Sequence, residues 1–141
     1  MILAEIDDGP YNVVYLLHII AVILGTGAAF VTPILAVKTR KAGGSDTALN
    51  EAAGVVMGPA LLVAGLFGGA LVGMSDDFYD FGQAWLAIGG LLWLIAVAAA
   101  LVAYPPPYIQ VSVGDKQPMV SGILHLSLAA MLVLMTWKFG A

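Results

Sequence analysis

Tyr11 to Val37 is the segment that most narrows what this chain can become. It reads YNVVYLLHIIAVILGTGAAFVTPILAV, 27 residues with no formal charge and a single histidine, His18. About 20 apolar residues let an α-helix cross roughly 30 Å of hydrocarbon. A chain folding in water has no use for such a run, so lipid is the solvent against which the other residues are read. Charged residues make up 10% of the chain and hydrophobic ones 61%. Average soluble chains carry about a quarter charged residues, so the composition agrees with a membrane protein.

At 141 residues, one domain over 1–141 is expected. The absence of cysteine excludes disulfides, thiolate metal sites and cysteine nucleophiles. A net charge of −4 argues against nucleic acid, which needs a basic surface. The leader MILAEIDDGP holds Glu5, Asp7 and Asp8 but no Lys or Arg. A cleaved signal peptide has a basic leader and an apolar core of about 7–15 residues, so the first segment is expected to persist as a helix.

Four helices are expected, over about 11–37, 47–74, 84–104 and 119–138, giving an all-α, polytopic, up-down bundle. Pro10 suits a first turn, where its missing N–H leaves nothing unpaired. Pro33 removes the hydrogen bond to the carbonyl of Ala29, so a bend is expected there. Ser45, Asp46 and Thr47 are candidate caps for the second helix. In that helix Gly54, Gly58, Gly65, Gly69 and Gly73 fall mostly at four-residue intervals. Such a stripe lets another backbone approach closely in lipid, which makes Gly58, Gly65, Gly69 and Gly73, with Gly25 on the first helix, candidate packing positions. Trp85 and Tyr104 bracket the third helix as an interfacial belt would. Pro105, Pro106 and Pro107 stop it, and an extended or interfacial loop follows.

Basic residues set orientation in a membrane. Lys38, Arg40 and Lys41 lie in the first loop and Lys116 in the third, so that side is expected to be cytoplasmic. Glu5, Asp7, Asp8, Asp76, Asp77 and Asp80 fall on the other, and both termini are expected outside the cytoplasm.

An ionisable side chain inside a span is a functional candidate. Here there are two, His18 and His125. The plainer reading is a neutral imidazole donating to a carbonyl or hydroxyl of a neighbouring helix. The sharper one is an axial ligand to haem b, or a metal ligand. By helix rise His18 lies about 10 Å below the outer surface and His125 about 20 Å, an offset of about 9 Å that disfavours one iron shared between them. Met131 falls at the depth of His18, so a His18/Met131 haem or soft-metal site is geometrically allowed. Tyr11, Tyr15, His18, Val22, Gly25 and Ala29 share one face of the first helix, which points His18 into the bundle. Asp76, Asp77 and Asp80 read as a solvated acidic loop, with a divalent cation as the alternative. There is no nucleophile–base pair, phosphate loop or mid-span carboxylate.

The segments LLHIIAVILGTGAAF, GGALVGM, AWLAIGGLLW and LVLMTWK resemble a widespread family of small bacterial four-helix integral membrane proteins classed as a domain of unknown function. That family commonly ends in lysine followed by proline, whereas here Phe139 follows Lys138. A histidine two turns into the first helix is also similar to the copper-resistance inner-membrane proteins and to the haem-binding bacterial protoporphyrinogen oxidase family. The latter resemblance implies a haem-ligand role for His18 alone. Together these readings lead to a non-enzymatic protein of the bacterial inner membrane, acting through helix packing as a homo-oligomer or as an accessory subunit. The rival reading is a haem- or copper-binding protein with His18 as ligand.

Overall fold

The computed structural model describes residues 9–138. Four α-helices make up the fold, and no strand occurs among the described residues: α1 (Gly9–Lys41), α2 (Thr47–Gly73), α3 (Ala84–Ala103) and α4 (Gln117–Trp137). All four are long and apolar enough to cross a membrane. The chain is an all-α, multi-pass membrane protein with up-down topology.

α1 runs one turn past the apolar segment, through Lys38, Arg40 and Lys41. It stops where Gly43 takes φ +83°, a left-handed conformation that a side chain would resist. The amides of Ala42, Gly43 and Gly44 close on the carbonyls of Lys38, Arg40 and Thr39, so the last turn is paired before the chain reverses. Asp46 stands at the N-cap of α2 but makes no side-chain cap. Its carboxylate instead pairs with Arg40 at 2.7 Å across the turn. At the other end of α2, Ser75 is buried; its hydroxyl donates to the carbonyl of Val72 and accepts the amide of Tyr79. That one side chain shapes the reversal into α3.

α1 packs chiefly on α2 and α3 on α4; the two hairpins meet through α2 and α3, and α1 meets α4 over a smaller contact made by side chains. The centre holds Met57, Leu61, Leu124 and Leu128, ringed by alanines from α3 (Ala96, Ala99, Ala100 and Ala103). Large apolar side chains such as Leu16, Ile23, Leu66, Leu91 and Leu126 point outward. In water this would be an inverted protein. In lipid it is expected, because tails solvate leucine as well as a core does and close contact between helices comes from small residues.

Trp85 and Tyr104 stand at the two ends of α3, but both are tucked inward at 6% and 5% exposure. The Tyr104 hydroxyl pairs with Ser121 of α4 at 3.3 Å, and Gln117 donates from its side chain to the last-turn carbonyl of Ala103. Both rings stand at the helix ends expected of them, and they also join α3 to its neighbours. Between α3 and α4 the loop is irregular, with one short 3-10 turn at Gly114–Lys116.

Candidate functional site

Seven residues of α1 are buried: Tyr11, His18, Ala21, Gly25, Ala29, Thr32 and Ala36. The seam is therefore the expected one at Tyr11, His18, Gly25 and Ala29. Tyr15 leaves it, half exposed and stacked on Tyr11.

His18 lies against α2, its Nδ1 2.7 Å from the carbonyl oxygen of Ala64. A carbonyl only accepts, so Nδ1 carries the proton, and in the neutral tautomer the lone pair is on Nε2. No hydrogen-bond donor meets Nε2 among the described residues. The ring fits because Gly68 has no side chain: a Cβ there would stand 3.2 Å from the His18 Cε1.

His125 does the same work at a different interface. Its Nε2 donates over 2.6 Å to the carbonyl of Ala29 on α1, and Phe30 stacks on the ring at 5.1 Å. The acceptor has a specific origin. In an unbroken helix Ala29 would receive the amide of residue 33, but that residue is Pro33 and has no N–H. Proline frees a carbonyl in the middle of the membrane, and a histidine from α4 satisfies it. Leaving it bare in lipid would be expensive.

Trp93 completes the set, donating from Nε1 to the carbonyl of Leu61 over 2.7 Å. Its ring occupies the space that a side chain at Gly65 would need. Three ring N–H groups thus brace three interfaces, α1 to α2, α4 to α1 and α3 to α2, each on a backbone carbonyl. Composition and spacing do not reveal Trp93, Ala64 or Gly68 in these roles, since each partner lies on a different helix, far away in sequence.

His18 and His125 do not converge. His125 binds α1 at Ala29, 11 residues past His18, which is roughly 16 Å along the helix. That separation is larger than the offset expected from sequence, and it removes a shared iron. Met131 packs against the central cluster, and the His18 ring donates to Ala64 of α2. No group of three His, Asp or Glu side chains gathers to hold a metal among the described residues.

The glycine stripe of α2 divides. A side chain at Gly54, Gly58 or Gly65 would collide with Pro105, Leu101 or Trp93, and one at Gly25 of α1 with Leu61. These glycines serve contacts within the chain. Around Gly69 and Gly73 nothing lies within 4 Å of an added Cβ. Next to them, at the same end of the bundle, Lys138 donates to the Tyr79 hydroxyl at 2.9 Å and lies over the Tyr79 and Trp85 rings. The end of α4 is thereby clasped to the loop between α2 and α3. No family model, curated protein or solved structure matches the chain.

Proposed function

We propose that this protein is a packing subunit of the bacterial inner membrane, working as an oligomer or as an accessory to a larger membrane assembly. The observation that carries this reading is the unfilled outer part of α2. Five glycines across α1 and α2 are filled by the chain's own side chains or backbone, whereas Gly69 and Gly73, like Gly27 of α1, meet nothing. A smooth helix surface in lipid is where a second helix packs closely. The resemblance to small four-helix membrane proteins agrees with it. The basic turn at Lys38–Lys41 facing the cytoplasm, and both termini facing outward, follow from the positive-inside rule.

The test is the native mass of the protein released in mild detergent, which reports subunit number and any bound cofactor together. A mass above the 14.6 kDa of a single chain by whole copies or a stable partner is expected. A bare monomer would contradict the reading.

One observation favours a second reading. His18 has its Nδ1 proton fixed by Ala64 and its Nε2 lone pair free, the arrangement of a ligating imidazole with its outer-shell partner in place. A haem or soft metal held there would supply one-electron chemistry within the membrane. His18 would be its one imidazole, because the Nε2 of His125 is committed to Ala29. A Soret band lost in His18→Ala and kept in His125→Ala supports this reading, and a colourless folded protein removes it.

A further inference from the structure

The two histidines divide their ring nitrogens in opposite ways. His125 spends Nε2, the nitrogen far from its own backbone, on the carbonyl of Ala29. His18 spends the near nitrogen, Nδ1, on Ala64 and keeps the far one. The residue is nine-tenths buried, at 9% exposure. Yet no buried side-chain nitrogen or oxygen lacks a partner among the described residues. Nε2 of His18 has none there, so it is not walled in; it stands open to a molecule of water's size. Lipid tails have no donor to offer it, and a ring nitrogen left bare in hydrocarbon costs free energy. The open atom calls for an occupant.

The surroundings favour a bare ion over a planar macrocycle. The ring lies so close to α2 that one added carbon at Gly68 would stand 3.2 Å from Cε1, the ring atom next to Nε2. A porphyrin held on Nε2 would have to spread over that same helix. No carboxylate lies mid-span to balance a high charge. Zinc asks for four ligands, and no group of three His, Asp or Glu side chains gathers among the described residues. A closed-shell monovalent ion of the Cu(I) type accepts imidazole and is satisfied by two ligands in line.

We infer that Nε2 of His18 holds such an ion, and that His18 of a second copy completes it from the opposite side. This rests on the soft-metal reading and joins it to the oligomer. The chain's other mid-span imidazole cannot serve, because its far nitrogen is committed to Ala29. A two-fold axis along the membrane normal brings identical residues to identical depth, so the missing ligand is the same atom of the neighbour. Gly68, beside the ring, has no side chain to hold a second copy away.

Silver(I) is the probe, a redox-stable ion with the same preference for two ligands in line. Native mass of the detergent-released protein is followed as silver nitrate is added. One silver per two chains is expected, carried by a dimer. His18→Asn keeps an N–H for Ala64, because its amide nitrogen stands where Nδ1 stood, but it has no Nε2. It should weaken silver binding by about tenfold or more, the order lost when a metal site is disturbed. An unchanged helical circular dichroism checks its fold.

One silver on each single chain would overturn the sharing and leave the soft-metal reading standing. A Soret band lost in His18→Asn would overturn the choice of ion and leave haem on His18. Silver binding that His18→Asn leaves unchanged would remove the inference and the soft-metal reading together. The packing reading is judged separately, by the mass before any silver is added.

Discussion

Pro33 and His125 show how a single residue choice propagates across the bundle. Proline leaves one carbonyl open, at Ala29, and a histidine 96 residues further on closes it. Replacing His125 by phenylalanine keeps a ring against Phe30 but strands the carbonyl. A loss of about 1–2 kcal/mol is expected, within the range of cross-helix hydrogen bonds in membranes and of unsatisfied buried groups. Adding Pro33→Ala restores an amide at residue 33 and should recover at least half of that loss. Reversible unfolding in mixed micelles measures the cycle; strictly additive effects would show that the carbonyl is not what joins the two positions. The freed carbonyl of Ala29 is legible in the sequence, as is the expectation that each histidine donates to a neighbouring helix. The acceptors are not, because a backbone carbonyl has no sequence signature.

Among the helices, the glycine stripe was legible as a packing face, but not how it would be shared. A four-residue step turns an α-helix by about 400°, so a stripe at that interval drifts about 40° per repeat. Gly65, 11 residues beyond Gly54, comes back to nearly the same direction, toward α3, whereas Gly69 and Gly73 rotate away from it. The variants should divide accordingly. Gly65→Ala forces the Trp93 ring off the carbonyl of Leu61 and is expected to cost about 3 kcal/mol, the upper end for an overpacked site. Gly69→Ala should stay within about 0.5 kcal/mol. Equal losses at both positions in the same unfolding assay would contradict the division. The clasp at Lys138 belongs to this scale too, because it ties α4 to the loop before α3. Lys138→Met removes one hydrogen bond and a half-buried cation–ring contact, and a loss of about 1 kcal/mol is expected. Sequence reading explains that lysine by its long stem reaching to the headgroups. Its partner Tyr79 lies 59 residues away, placed by Ser75.

The architecture was the most legible level, because hydropathy over some 20 residues reports the solvent directly and needs no knowledge of partners. Four apolar segments joined by connections too short to hold another span leave little choice but an up-down bundle, and α1 to α4 are arranged so. The site was less legible, since its geometry arises where elements distant in sequence meet. Chain threading tests the whole account most directly. The protein contains no cysteine, so single cysteines placed at Ala42, Asp77 and Tyr108 can each be probed alone. In intact cells a membrane-impermeant maleimide should label Asp77→Cys, and should reach Ala42→Cys and Tyr108→Cys only after the membrane is opened. Labelling of Ala42→Cys in intact cells, or recovery of the protein in the soluble fraction without detergent, would contradict it.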